Sequence, residues 1–225
     1  MGTDQFGRDI LSRIVWGTRS ALLVAVGSAG ISVVVGVALG SIAGYAGGWI
    51  DDILSRTFDV FLVVPAFFLL VLMAALFGPS MPVVMAVIGL TTWPSSARIM
   101  RSQTLTYRTR AFVDAARAAG GGPLYLLARH IVPNAIAPVI TNGTVTMGQA
   151  ILIEAGLSYL GLGDPSSISW GRMIFDGQKY LDGAAWMSIF PGVAMLVTVL
   201  ALNLAGDSFI GALLGPRRRR MSRQR

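Results

Sequence analysis

The sequence predicts an all-α protein, a polytopic bundle of about five transmembrane helices with a two-helix loop at one membrane face. Hydrophobic residues make up 54% of its 225 residues and charged residues only 13%, whereas soluble domains carry roughly 25% charged residues. Five apolar stretches approach or exceed the length of about 20 residues that crosses a bilayer. Between the third and fourth lies a basic segment, residues 98–134, which has six arginines and one acid, Asp114. Short arginine-rich loops stay in the cytoplasm, so this segment is expected to face the cytoplasm.

The N-terminal segment, residues 1–19, is polar and contains no apolar run long enough for a signal peptide. The first span is predicted over 20–48, which carries no charge. Small residues recur there at every fourth position: Ser28, Ser32, Gly36, Gly40, Gly44 and Gly48. Such a stripe lets membrane helices approach closely, so we favour helix packing, without a role in transport, as its interpretation.

The remaining spans are predicted over 60–77, 81–97, 135–153 and 184–205. A polar turn, residues 51–59, precedes the second span, and Pro65 is expected to interrupt that span. Trp93 lies near the end of the third span, a position typical of an interfacial anchor. The transmembrane domain is thus expected over 20–210, followed by a basic cytoplasmic tail, 211–225.

Charge also assigns the other long polar region, 154–183, to a membrane face. It has four acidic residues and two basic ones, the reverse of the balance in the basic segment. This asymmetry places it outside the cell. With the tail in the cytoplasm, alternate crossings of five spans place residues 1–19 outside as well.

Three polar side chains share one face of the fourth span: Asn142, Thr146 and Gln149, at spacings of four and three residues. Polar groups in hydrocarbon are costly unless they are satisfied, so this face is expected to point into the bundle. Two interpretations remain open for it. The face lines a solute path, or it hydrogen-bonds a neighbouring helix.

The basic segment is expected to fold as two short helices joined by a glycine corner. Helical spacing of apolar residues predicts the first helix over about 104–119, and Gly120–Gly122 are expected to end it. Pro123 opens the second helix where its missing N–H group costs nothing. The apolar residues expected to carry that helix toward the membrane are Leu124, Leu127 and Ile131.

Within the basic segment, Asp114-Ala115-Ala116, Gly120 and Ile131-Val132-Pro133-Asn134 resemble the "EAA" loop of ATP-binding-cassette (ABC) importer permeases. His130 and Asn134 make it similar to the dipeptide, oligopeptide and nickel branch. Asp114 stands where the family usually has Glu, and Val132 where it usually has Leu. Residues 2–13 and 154–171 also resemble segments of that branch. In the family another transmembrane helix precedes the first of these segments, which implies that the family's first helix is absent here.

The resemblance implies a permease subunit of an importer for peptides, related small solutes or nickel, in the inner membrane of a prokaryote. The implied partners are a second homologous permease, two ABC ATPase subunits that hydrolyse ATP, and an extracytoplasmic solute-binding protein. In the family the coupling loop, about 98–134 here, docks into a groove of the ATPase and transmits its motion. The residues expected to take part in coupling are Phe112, Asp114, Ala115, Ala116, Gly120 and Pro123. They lie within residues 111–124, here termed the docking tip.

The sequence also argues against several other chemistries. It has no Gly-x-x-x-x-Gly-Lys-Ser/Thr loop to hold ATP phosphates. With His130 as its only histidine and no cysteine, neither a metal site nor a nucleophile–histidine pair is expected, and we expect no cofactor. No predicted span carries an ionisable residue near its centre, which argues against a proton- or ion-coupled carrier.

The net charge of +7 is concentrated in the basic segment and the tail, so membrane orientation explains it without nucleic acid. Two alternatives to the importer subunit remain. One is a passive channel lined by the polar face of the fourth span. The other is a membrane scaffold that recruits a partner through its basic loop without transporting anything.

Overall fold

The computed structural model describes the backbone of residues 1–63 and 65–221 and the side chains of residues 1–63, 65–206 and 208. The described residues form helices and no strand, apart from one isolated bridge between Thr3 and Asp9. The predicted fold class is therefore confirmed. The side chains of the basic tail, 211–225, lie outside the described residues.

The α-helices, in chain order, are α1 Ile10–Ala46, α2 Gly48–Val63, α3 Ala66–Phe77, α4 Met81–Tyr107, α5 Ala111–Ala118, α6 Pro123–Tyr125, α7 Val132–Ala135, α8 Ala137–Tyr159, α9 Trp170–Gly177, α10 Leu181–Ala184 and α11 Trp186–Met221. A π-helix, Leu126–Ile131, joins α6 to α7, and a 3₁₀ turn, Gln178–Tyr180, joins α9 to α10.

Three helices of the described chain, α1, α4 and α11, are long and apolar enough to cross a membrane. The number rises to five if α2 with α3, and residues 123–135 with α8, each form one bent span. These five correspond in order to the five predicted spans. The predicted interruption of the second span is confirmed, because α3 begins directly after Pro65.

Several helices extend further than the sequence indicates. Helix α2, Gly48–Val63, includes residues 51–59, so the predicted polar turn is helical. The first helix begins at Ile10, because Asp9 accepts hydrogen bonds from the backbone N–H and the hydroxyl of Ser12 and thereby caps it. Helix α8 continues to Tyr159, six residues beyond the predicted end of the fourth span. Glu154, expected in the external polar region, therefore lies within a helix, where it is buried and accepts a hydrogen bond from Ser158 Oγ at 2.6 Å.

The residues group into two compact units. The first consists of Met1–Ala29, Pro65–Leu90 and Val145–Asn203, and the second of Gly30–Val64, Thr91–Thr144 and Leu204–Arg225. Several long helices, α1 among them, contribute residues to both units.

In the first unit, the start of α1 is bound to the α9 region. Ile10 and Ile14 belong to an apolar cluster with Trp170 and Met173, and Trp170 Nε1 donates a hydrogen bond to Ile14 O at 3.1 Å. A second cluster joins α1, α3, α4 and α8 through Val24, Leu70, Ile88 and Leu157. Close packing of these large side chains contributes to the stabilisation of this unit, as between other membrane helices.

In the second unit, α1 packs on α4 through its small-residue stripe. A Cβ atom added to Gly40 would lie 2.3 Å from Ala97 O, and one added to Gly36 would lie 2.4 Å from Ser96 Cβ. One added to Gly44 would lie 2.7 Å from Arg101 O. The two helices therefore meet at a distance that only glycine permits, and the packing interpretation of the stripe is confirmed for these three positions.

Trp93 has a different role from the predicted one. It is only 4% exposed, and its ring makes edge contacts with Phe58 and Phe61 of α2, with centroids 5.4 Å apart in both pairs. An interfacial anchor would present its indole to the lipid headgroups. The anchor prediction is therefore wrong, because aromatic packing between α2 and α4 encloses the side chain.

Candidate functional site

The docking tip contains the glycine corner that the sequence predicts. Gly120 has a φ of +89°, a conformation that residues with a Cβ atom rarely adopt. The N–H of Gly120 donates to Arg117 O and the N–H of Gly121 to Ala116 O, each at 3.0 Å. This pair of bonds is the Schellman arrangement that ends a helix, so α5 stops here and the chain turns sharply.

The three glycines of the corner are not equivalent. Gly121 has no room for a side chain, since a Cβ atom would lie 2.8 Å from Ala116 O. Gly122 has an extended backbone, with φ −72° and ψ 165°, and open space around its Cα. The corner therefore requires glycine at 120 and 121 but not at 122.

The predicted helix over 104–119 is interrupted. Helix α4 continues to Tyr107, a turn occupies 108–110, and α5 begins at Ala111. Nη1 of Arg108 donates to Gly44 O at 3.0 Å, which holds the turn against the end of α1. Arg110 is extended, with ψ 142°, and this re-aims α5 so that Val113 is buried.

The second helix of the loop forms as predicted, but residues 126–131 of it are π-helical rather than α-helical. Leu126 and Ile131, five residues apart, are buried, whereas Leu124 is 79% exposed. The π-helix between them, with its i→i+5 bonds, places residues five apart on one face. Of the three residues expected to carry this helix toward the membrane, Ile131 is buried and Leu127 packs on the same apolar cluster, whereas Leu124 lies at the surface of the chain.

Val113 and Leu126 attach the docking tip to the rest of the second unit. Both belong to an apolar cluster that includes Met100 of α4, together with Ile131, Ala135 and Val139. Val113 was not among the residues singled out from the sequence. Its three-residue spacing from Ala116, which also packs on the cluster, is the signal that could have found it.

Most residues expected to take part in coupling lie at the surface. Phe112, Asp114, Ala115, Gly120 and Pro123 are exposed, and Ala116 is half-buried. Two further apolar side chains, Leu124 and Tyr125, are exposed next to them. The tip thus presents an apolar surface on an otherwise basic segment.

Ion pairs connect the basic segment with residues 51–59, which lie within α2. Arg101 donates from Nε and Nη2 to the two carboxylate oxygens of Asp51, at 2.5 and 2.6 Å, and Arg98 pairs with Asp59. The bidentate geometry is the stronger form of such a pair. Because Asp51 and Asp59 are neutralised by arginines of the basic segment, this part of α2 is compatible with a cytoplasmic position.

On the tip itself, Arg117 Nη1 donates to Asp114 Oδ1 at 2.6 Å. Both side chains are about half exposed, so this pair contributes little to folding stability. The carboxylate that stands in the place of the family's glutamate is therefore at the surface of the tip.

The structure distinguishes among the residues of the polar face of α8. Nδ2 of Asn142 donates to the hydroxyls of Ser95 and Ser96 on α4, at 3.2 and 3.1 Å, as the helix-bonding interpretation predicts. Thr146 is buried, whereas Gln149 is exposed. Asn142 thus serves helix packing, and Gln149 presents its amide at the surface of the chain.

Comparison with known proteins gives one family. The family model described as "Binding-protein-dependent transport system inner membrane component" matches residues 36–220. The chain is 38% identical over 213 residues to the dipeptide transport system permease protein DppC of Alkalihalophilus pseudofirmus, covering 94% of this chain and 70% of that protein. It is 36% identical over 214 residues to the di/tripeptide transport system permease protein DppC of Pseudomonas aeruginosa, with 95% and 71% covered.

Among solved structures, the chain is similar to inward-facing conformations of the MetNI methionine ABC transporter. One such chain has a TM-score of 0.75 at 18% identity, covering 90% of this chain and 97% of that one. A crystal structure of an amino acid ABC transporter with histidines gives a TM-score of 0.62 at 15% identity, with 91% and 97% covered. At these identities the likeness shows the fold.

Proposed function

This chain belongs to the binding-protein-dependent transport system inner membrane components, permease subunits of ABC importers, and on that premise we propose that it transports peptides with ATP hydrolysed by partner subunits. The observation that carries the choice of solute is the similarity, along nearly the whole chain, to two permeases named for dipeptides and di/tripeptides. Peptides are therefore placed ahead of nickel as the solute.

In this proposal the docking tip receives the motion of the ATPase. Exposed apolar groups such as Phe112, Leu124 and Tyr125 are typical of a protein-binding surface when they cluster on a polar segment. The tip is also firmly attached, because Val113 and Leu126 are buried in the cluster that contains Met100. A push on the tip would thus reach α4 through packed side chains.

The proposed orientation places the basic segment and the C-terminus in the cytoplasm, and residues 1–9 and 160–183 outside. Arginine-rich short loops favour the cytoplasmic side. Residues 51–59 carry three acids against one arginine and lie on the cytoplasmic side in this orientation. The pairing of Asp51 and Asp59 with Arg101 and Arg98 neutralises two of these acids and so supports the orientation.

The proposed complex contains a second homologous permease, two ATPases and an extracytoplasmic binding protein. A row of apolar side chains on α11 is exposed on the single chain: Val193, Leu196, Val197, Leu200 and Leu204. Lipid or a second permease would cover such a row.

In the same complex we propose that the solute path uses Gln149 rather than Asn142, because the amide of Asn142 is bound to Ser95 and Ser96.

The test is reconstitution in lipid vesicles with the second permease, the ATPases and the binding protein of the same organism. We expect uptake of a labelled dipeptide that requires both ATP and the binding protein. A matched complex whose ATPases lack their phosphate-binding lysine should assemble but take up nothing. Uptake without ATP would indicate a passive channel, and an assembled, ATP-hydrolysing complex without uptake would indicate a scaffold. Either result contradicts the proposal.

A further inference from the structure

A polar cavity of about 420 Å³ lies in the first unit, remote in sequence from the docking tip. Its walls come from residues 5–13 at the N-terminus and from the polar region around 163–176. Three arginines line it, Arg8, Arg13 and Arg172, together with two aspartates, Asp164 and Asp176, and several serines. Nothing in the coupling function described above uses this cavity.

Asp4 holds two of these arginines in place. Its carboxylate accepts hydrogen bonds from the backbone N–H groups of Phe6 and Arg8, both at 2.9 Å, from Arg8 Nε at 2.7 Å and from Arg13 Nη1 at 2.6 Å. Burial opposes ionisation of Asp4, yet the backbone N–H groups of Arg8 and Phe6 and the Arg8 guanidinium hold the pKa of its carboxyl below the ordinary value. Asp4 is therefore an ionised, buried anchor.

The four bonds fill the acceptor capacity of the Asp4 carboxylate. They use one guanidinium N–H group of each of the two arginines, whereas a guanidinium carries five. The Arg13 side chain is only 15% exposed and lines the cavity. The N-terminal wall is thus fixed in position and rich in charged donors.

The opposite wall adds further donors. Arg172 lies in the first turn of α9, and that turn has no acidic residue. Its Nε atom forms an ion pair with Asp176 Oδ1 at 3.7 Å, which is longer than a hydrogen bond, and its side chain is 53% exposed. The other acid of the wall, Asp164, accepts hydrogen bonds from the Ser166 and Met81 N–H groups and from Ser166 Oγ. The acids of the wall therefore leave the arginines able to bind a further anion.

We infer that this cavity receives an acidic side chain of the extracytoplasmic binding protein, whose carboxylate would be bound by Arg13 and Arg172. A guanidinium fork matches the two oxygens of a carboxylate, and most of the residues that line the cavity belong, in the proposed orientation, to segments on the side where the binding protein arrives. The inference rests on the proposed function, because it requires such a partner. A peptide in transit is a poorer occupant, since most of the wall comes from segments outside the spans.

The test measures how ATP hydrolysis of the reconstituted complex depends on the concentration of the binding protein that stimulates the wild type. Arg172→Glu should raise the half-maximal concentration about tenfold or more, because a charge-assisted contact is replaced by like-charge repulsion. Arg172→Lys should retain most of the response. Lys179→Glu makes the same kind of charge reversal in the same unit on an exposed residue that does not line the cavity, and should leave the half-maximal concentration unchanged.

Raised salt should weaken docking in the wild type more than in Arg172→Glu, because screening acts on the charge pair. Co-purification of all subunits with each variant checks that the complex has assembled. An unchanged half-maximal concentration in assembled Arg172→Glu would overturn the inference. So would a shift only in the dependence on peptide concentration, which would assign the carboxylate to the solute. A wild-type complex that no binding protein stimulates would contradict the proposed function instead.

Discussion

Gly120 has a backbone conformation that no other residue type adopts easily. Its φ of +89° lies in the left-handed region, where a Cβ atom costs about 1–2 kcal/mol and a β-branched side chain is a genuine outlier. The neighbouring Gly122 shares neither constraint, since its φ is −72°. The two positions therefore form a matched pair for mutagenesis.

Gly120→Val should reduce ATP-driven uptake at least tenfold and abolish the stimulation of ATP hydrolysis, because the corner that shapes the docking tip cannot form without strain. Insertion into the membrane should be unaffected. Uptake and stimulated hydrolysis are measured in the reconstituted complex, with Gly122→Val as the control that should behave as the wild type. Normal stimulated hydrolysis in Gly120→Val would refute the role of the corner.

Single residues also show what sequence reasoning can find. Gly120 and Pro123 were placed correctly, because left-handed corners and first helical turns select those residue types for local backbone reasons. Trp93 was misplaced, because its surroundings depend on Phe58 and Phe61, residues that a different helix brings into contact. The sequence therefore predicts residue types that the local backbone requires, but it does not predict a contact with a residue that is distant along the chain.

At the scale of helices, the contact between α1 and α4 in the second unit depends on glycine. Gly40→Leu should destabilise the protein by about 3 kcal/mol or more, above the usual range for overpacking, since its Cβ atom would meet Ala97 O and Met100 Cβ at 2.3 and 2.8 Å. The apparent melting temperature in detergent measures the effect. Gly30→Leu, on the same helix with open space at its Cα, should change it little, and equal losses in both variants would contradict a specific contact.

The order of the five spans was predicted correctly if each bent pair is counted as one span, but the extent of the helices was not. The start of α1 at Ile10 was missed because residues 10–19 carry charges, and the burial of Ile10 and Ile14 against the α9 region outweighs that signal. The π-helix at 126–131 was missed because the α-helical period gives no indication of an inserted residue. Both errors arise where tertiary contacts determine the local structure.

For the whole molecule, the orientation in the membrane is directly testable because the sequence contains no cysteine. Ala118→Cys on the docking tip and Gly183→Cys in the polar region that we propose to lie outside place single thiols at exposed positions. A membrane-impermeant maleimide should label position 183 in intact spheroplasts and position 118 only after permeabilisation. Labelling of position 118 in sealed spheroplasts would contradict the cytoplasmic placement of the tip.

The close approach of α1 to α4 also has a mechanical consequence. At Gly36, Gly40 and Gly44 no atom could be inserted between the two helices, so this joint has no play. Two helices that leave no gap between them move as one unit. If the ATPases move the tip, as we propose, the part of α1 from Gly36 to Gly44 would move together with α4.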